Sequence, residues 1–404
     1  MSSGFLSIYE TERELSLSKD NKKKGSFRKR IQKTHFLFKS LLLITVVCIP
    51  MILWQHTLGR ELLAGAGTIT THASKTEHDL NLHGCRYGVA IGADRDSTRG
   101  MLALIHSVIT NYKPLEQHTL DDAIHDTNNL CVFVFSKEDD FLHRKRSLHC
   151  AFGRKQKNIK IIHKIIDKKH WLPRIYSTIE ERNVGMEYKW FRYYLTPNDV
   201  DGLSRILYLD TDMIVQGNIA ELFDWEMNGH VVAATSYWEP LRNHLCQNHR
   251  LGDIPMKSNE LGLLGRTKTT TPFEAANHIN TGLLLIDLGK MSKRQILTKW
   301  SNLVDMHENI ECMWLELYSG EADFTLAING DSEVLPEEWN VGNLGIPEKY
   351  RLTDGCERAK ILHWNGDAKP YTSSGRTRAL CSDYYDIYDM IPKMQQRNPE
   401  CFSF

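Results

Sequence analysis

The chain has 404 residues, room for one large α/β domain with appendages, and its 50 Lys plus Arg balance its 50 Asp plus Glu. A net charge of zero leaves no global positive field and argues against nucleic acid as a partner. The nine cysteines form no Cys-x-x-Cys pair, which argues against a zinc cluster.

Charge is uneven along the chain. Residues 19–33 carry Lys22, Lys23, Lys24, Arg28, Lys29, Arg30 and Lys33, with Asp20 the one acid. An apolar run from Phe36 to Trp54 follows, long enough to span a bilayer at about 20 residues. Lys39 can snorkel, Trp54 sits where an interfacial aromatic would sit, and Pro50 is tolerated in such helices. Basic residues before the span predict a cytoplasmic N-terminus and a lumenal bulk, single-pass type II. A cleaved signal peptide fits less well, because the basic region before the span is long and no clear small-x-small site comes straight after it. The sequence therefore reads as a basic tail at 1–35, a transmembrane helix at 36–54, a small and polar stem at 55–83, and a lumenal domain at 84–404. Eight cysteines lie beyond the span, an even number that permits disulfides. No Asn-x-Ser/Thr sequon is present.

The domain opens with a short buried strand, Tyr87–Ile91, and a turn at Gly92-Ala-Asp-Arg. Met101, Leu104, Ile105, Val108 and Ile109 recur at helical spacing. Leu130–Phe135 and Ile159–Ile162 read as strands, and Tyr188–Leu195 as a helix. Arg205–Leu209, Val231–Ala234 and Thr281–Asp287 read as further strands, the last followed by a helix from Ser292. Alternating strands and helices predict an α/β domain with a mainly parallel sheet. Ligands of such sheets sit beyond the carboxyl ends of strands, so Asp94 and Asp210, each after a strand, face one cleft.

The run Ile206-Leu-Tyr-Leu-Asp210-Thr-Asp212-Met-Ile-Val215 delivers two carboxylates one residue apart. Alternate residues of a strand share a face, so both would aim at one ion. Two buried like charges need a cation or a proton between them. The other reading is a strand running into an acidic turn. Further on, Ile361-Leu-His363 ends a short strand, with Gly366 and Lys369 at intervals of three. Imidazole suits an oxygen-rich manganese site, Gly lets backbone approach a phosphate, and Lys supplies a point charge.

These segments resemble family 8 of the retaining glycosyltransferases, the group with glycogenin-like and lipopolysaccharide galactosyltransferase-like enzymes. The resemblance runs from Tyr87 to Tyr371. It rests on Tyr208–Asp224, Asn280–Asp287, His363–Tyr371 and the Ala93-Asp94 turn, in that family's order, with Arg192 at a donor-contacting position. It implies a GT-A-type fold, a UDP-sugar donor, a divalent cation, usually Mn2+, and a glycan or glycoconjugate acceptor. It implies Asp210, Asp212 and His363 as metal ligands, Gly366 and Lys369 at the diphosphate, Asp94 at the uracil end, and Asn280 beside the transferred sugar. The family's polar segment on the reacting face corresponds to Glu321-Ala-Asp323, with Ala322 where an amide is expected. Asp323 is the first candidate there and Glu321 the second.

A Golgi or other secretory-pathway enzyme anchored through 36–54 is the resulting expectation. A catalytically inactive binding subunit and a haloacid-dehalogenase-type phosphotransferase are the alternatives, and the oligomeric state is left open. Trp190, Trp225, Trp238, Trp300 and Trp314 read as core or packing residues. His170 and Arg154–Lys157 read as solvated surface. Acceptor contacts are expected within Tyr237–Phe273.

Overall fold

The computed structural model describes residues 84–114, 129–153, 158–166, 187–236, 278–308, 324–328, 331–346 and 355–397. All of them lie in the second of two units, Thr76–Phe404. The expected span 36–54 and stem 55–83 fall outside the described residues. Among the described residues no helix is long and apolar enough to cross a membrane.

β1 (Cys85–Gly92) is buried along almost its whole length, which is why it reads as a continuous apolar run. A turn leads into α1 (Thr98–Asn111), whose buried face carries Met101, Leu104, Ile105 and Val108. β2 (Asn129–Ser136), α2 (Phe141–Phe152), β3 (Ile159–Ile165) and α3 (Glu187–Tyr194) follow. Next come β4 (Arg205–Leu209), β5 (Met213–Val215), α4 (Ala220–Phe223), β6 (Val232–Ala234) and β7 (Leu283–Asp287). The helix expected from Ser292 is two pieces, α5 (Leu288–Lys293) and α6 (Ile296–Glu308). Asp287 caps the first by accepting from the Lys290 N–H at 2.9 Å, and Gln295, at φ 53°, divides the two. β8 (Ser332–Val334), α7 (Gly355–Arg358), β9 (Ile361–His363), α8 (Ser373–Arg376), α9 (Ser382–Tyr388) and α10 (Ile391–Arg397) complete the described chain.

Among the described residues, seven strands form one sheet in the order β3-β2-β1-β4-β7-β6-β8. β1 runs parallel to β2 and β4, β2 to β3, and β6 to β8. Of these seven, β7 alone is reversed, antiparallel to β4 and β6. The mainly parallel α/β sheet expected from the sequence is present. β5 and β9 form a second, antiparallel pair with Met213 opposite His363.

One order of connection positions the site. From β1 the chain reaches β2 on one side and β4 on the other, which makes the β1–β4 boundary a topological switch point. Ala90 pairs with Tyr208, so the turns after β1 and β4 leave the sheet at the same rim. β7 starts at that rim, with Leu283 opposite Leu209.

Here the strand reading of the acidic pair needs correction. Residues 210–212 are a turn, because β4 belongs to the large sheet and β5 to the small one. The chain changes sheets between Leu209 and Met213, and both carboxylates sit on the crossing. Trp190 and Trp300 stack in one face's core with ring centroids 5.1 Å apart, and Trp225 packs against the other, in keeping with their reading as packing residues. Disulfides join Cys85 to Cys131 and Cys356 to Cys381, and Cys150 is also disulfide-bonded.

Candidate functional site

Asp210 leaves β4 two positions after Tyr208. Its Oδ1 accepts from the Tyr208 hydroxyl at 2.5 Å and from Arg192 Nη1 at 3.1 Å. Tyr208 is fully buried; burial pushes its phenol well above the usual value against the opposing pull of Arg192, so it stays a neutral donor. Arg192 projects from α3, is 3 % exposed, and also donates to the Thr281 carbonyl at 2.7 Å. Its guanidinium lies 4.7 Å from the Tyr208 ring centre. The guanidinium is thus committed to holding Asp210 and the chain entering β7.

Asp212 faces the other way along the turn. Its Oδ1 lies 3.3 Å from His363 Nε2, and its Oδ2 pairs with Lys369 Nζ. Lys369 also donates to the Trp364 carbonyl at 2.7 Å, and Trp364 N–H donates to the Asp212 carbonyl at 2.9 Å. Burial alone would raise the Asp212 carboxyl. The Lys369 ammonium and the His363 ring outweigh it and hold the group well below the usual carboxylate range.

His363 ends β9 and is 2 % exposed. Its Nδ1 is 3.0 Å from Asn340 Oδ1, a carbonyl oxygen that can only accept. With Nδ1 donating there, Nε2 is the ring atom turned to the two carboxylates, 3.3 Å from Asp212 Oδ1. One ligand atom from each of Asp210, Asp212 and His363 lies within 4.8 Å of the others.

These residues fit a divalent cation. Two carboxylate oxygens and one imidazole nitrogen suit a metal of manganese type and leave coordination positions open. Gly282 supplies the room. A Cβ there would overlap His363 Cε1 and stand 2.9 Å from Asp210 Oδ2. Without a cation the same carboxylates are balanced by Arg192 and Lys369, one to each.

Asp94 stands after β1. Its Oδ1 accepts from the Ser97 N–H at 2.8 Å, and Oδ2 has no hydrogen-bond partner among the described residues. Tyr371 ties this turn to the metal triad. Burial pushes its phenol far up, and the charges of Asp212, Asp94 and Asp210 push it further, so all three carboxylates lie within electrostatic reach of this one hydroxyl. The Tyr371 ring packs where a Cβ on Gly100 of α1 would come to 2.8 Å.

Two expected ligand contacts have local structural causes as well. Asn280 is 8 % exposed and its Oδ1 accepts from the Gly282 N–H at 3.0 Å, so it shapes the turn that makes the room beside His363. Gly366 adopts φ 107°, and a Cβ there would overlap the Ile346 side chain and approach Gly345 O to 2.9 Å. Packing of the chain already demands glycine at 366. Glu321, Asp323 and the expected acceptor region Tyr237–Phe273 lie outside the described residues, although Phe324 and Thr325 next to Asp323 are buried. Tyr208, Gly282 and Asn340 join the site without having stood out in the sequence. The signals existed: Tyr208 alternates with Asp210 along the chain, and Gly282 and Asn340 sit in short polar interruptions of apolar segments.

Residues 88–375 match the profile of glycosyl transferase family 8. The chain is 26 % identical over 226 residues to the probable galacturonosyltransferase-like 3 of Arabidopsis thaliana, covering 54 % of this chain and 60 % of that one. It is 27 % identical over 209 residues to glycosyltransferase 8 domain-containing protein 1 of Xenopus tropicalis, covering 49 % and 52 %. The matched part thus spans little more than half the length of these relatives. In fold it is similar to the apo structure of the bifunctional glycosyltransferase WbbM, with a TM-score of 0.52 at 14 % identity, covering 77 % of this chain and 51 % of that one. The family match removes the phosphotransferase alternative. With a reversed strand in an otherwise parallel GT-A-like sheet, an acid-acid-imidazole cluster at its switch point, and a profile match over most of its length, the chain belongs to glycosyl transferase family 8.

Proposed function

We propose that the chain is a retaining glycosyltransferase that moves a hexose-type sugar from a UDP-sugar to a glycan or glycoconjugate acceptor. The observation that carries this reading is the convergence of Asp210, Asp212 and His363 at the sheet's switch point, within 4.8 Å. In this reading they hold a divalent cation, Mn2+ first among the candidates. The cation, when bound, would stabilise the charge that builds on the departing diphosphate.

The remaining roles belong to the chain's own groups. Lys369, already beside Asp212, supplies a second positive charge for the diphosphate, and Gly366 lies on the same loop. Arg192 and Tyr208 fix Asp210 so that its other oxygen points into the cleft. Asp94, held through one oxygen by Ser97, offers the other to the uracil N–H. Asp323, with Glu321 as second candidate, and Asn280 are assigned to the face of the transferred sugar. Holding an acceptor hydroxyl near the anomeric carbon completes the requirement.

The disulfides favour an oxidising compartment, which supports a type II protein of the Golgi or another secretory membrane, anchored through residues 36–54. A binding subunit without turnover is the second reading, favoured by the balance that Arg192 and Lys369 already give the two carboxylates. The experiment is hydrolysis of a panel of UDP-sugars by the full-length chain with and without Mn2+. Turnover of one donor, dependent on metal and lost in Asp212→Asn, supports the enzyme. UDP binding with no turnover, even when glycan acceptors are supplied, supports the binding subunit.

A further inference from the structure

Arg144 is a buried charge that the metal site does not use. It projects from α2, is 0 % exposed, and forms no ion pair among the described residues. Burying a guanidinium against uncharged partners is costly, and burial accordingly lowers its pKa from the ordinary arginine value. Its two terminal nitrogens both donate to one place. Nη2 donates to the Ala93 carbonyl at 3.2 Å and, over a shorter contact, to the Asp94 carbonyl; Nη1 donates to Thr98 Oγ1 at 2.9 Å. Its Nε has no hydrogen-bond partner among the described residues. A helix two elements away in sequence thus reaches under the sheet rim and grips the β1–α1 turn on both sides of Asp94.

The turn's other restraints are mostly its own: the Ser97 hydroxyl donates to the Asp94 carbonyl at 3.1 Å, and the Thr98 hydroxyl to the Arg95 carbonyl at 2.6 Å. Asp94 Oδ1 is used by Ser97, and Ala93 N–H donates to the Phe135 carbonyl at 3.1 Å. Held at its carbonyls by a planar, multi-donor group, the turn fixes where the Asp94 carboxylate stands, one oxygen on the Ser97 N–H and the other without a hydrogen-bond partner among the described residues. The geometry points to Arg144 as a positioning residue for nucleotide recognition, acting through Asp94 without touching the ligand. The inference rests on the proposal that Asp94 binds the nucleobase of the donor.

The prediction separates it from a purely structural role. On the full-length chain, Arg144→Gln weakens UDP binding, read by calorimetry, about tenfold, the scale of a lost charge-assisted hydrogen bond. The Mn2+ affinity without nucleotide stays at the wild-type value, because the triad is held by Arg192, Lys369 and Asn340. Arg144→Lys, which keeps the charge but loses the planar fork, gives a smaller loss and serves if the Gln variant does not fold. The decisive readout is the double variant. If Arg144 acts through Asp94, then Arg144→Gln in an Asp94→Ala background costs no further UDP affinity. Full additivity, or UDP affinity unchanged in both single variants at Arg144, overturns the assignment. Failure of the wild-type chain to bind UDP at all overturns the donor reading itself, and this inference with it. Wild-type binding with Asp94→Ala as tight as wild type overturns only the role of this turn.

Discussion

His363 depends on a neighbour 23 positions earlier in the chain. Asn340 Oδ1 accepts from its Nδ1 and leaves Nε2 as the ring atom turned to the carboxylates. Replacing Asn340 by Leu keeps the bulk and removes that acceptor. The expected result is a loss of Mn2+ affinity of about 10- to 100-fold, as for other outer-shell partners. Titration of free Mn2+ by electron paramagnetic resonance checks it, and an unchanged affinity would show that the tautomer is set elsewhere. Asp210, Asp212 and His363 were legible in the sequence because charged or imidazole groups at the ends of buried apolar strands are costly unless they bind something. Asn340, Tyr208 and Gly282 were not, since each acts through another residue and none is chemically unusual where it stands. Gly366 reads in the sequence as making room for a phosphate, whereas Ile346 and Gly345 already exclude a side chain there.

Elements bring these residues together by crossings of the chain. The turn 210–212 passes from the large sheet to the small one. β9 then pairs with β5 and sets His363 opposite Met213. The disulfide Cys356–Cys381 closes a loop of 25 residues that contains His363, Gly366 and Lys369. Loop-closure entropy makes such a bond worth about 3 kcal/mol. Cys356→Ser with Cys381→Ser is therefore expected to lower Tm and to weaken Mn2+ binding together, measured by calorimetry at one protein concentration. A drop in Tm with metal affinity intact would separate the bond from the site.

The long strands and α1 were legible from apolar runs and helical spacing. α2 was not, because its buried positions are Arg144, Ser147 and Leu148, two of them polar. β5 was absorbed into one apolar run with β4, and β8, Ser-Glu-Val with no buried residue, carries too little apolar pattern to be read. β3 adds a pH dependence. His163 stacks on Phe141 and shares a 2.7 Å hydrogen bond with Ser136; burial, with Arg144 and Lys145, pushes its pKa from 6.5 down to about 4. The unfolded chain binds this proton below about pH 6.5 while the folded chain refuses it until about pH 4, so stability falls as pH falls through that window. Denaturation curves at pH 7 and pH 5 are expected to differ less for His163→Gln than for wild type. Equal differences would remove His163 from the account.

At the scale of the whole molecule, one sheet with a reversed strand gathers three strand ends on one rim, and the described residues of the proposed site stand there, on the small sheet and the loop after it, or, for Arg192, on α3. The fold class followed from the alternation of strands and helices. The reversed strand did not, since β7 is as apolar as its parallel neighbours and direction leaves no trace in composition. The proposed anchor at 36–54 predicts that the full chain stays with the membrane pellet after alkaline extraction and that replacing several of its leucines with serine releases it. Release of the unaltered chain would contradict the anchor without touching the site.

The central claim is that Asp210, Asp212 and His363 together hold the cation on a nucleotide diphosphate. It is tested most directly by calorimetric titration of UDP into the full-length chain, with Mn2+ and then with a chelator, for wild type and Asp212→Asn. Wild type is expected to bind only with Mn2+, and Asp212→Asn to lose that binding while Tm stays near wild type. UDP binding of equal strength in the chelator, or Mn2+-dependent binding retained by Asp212→Asn, would contradict it.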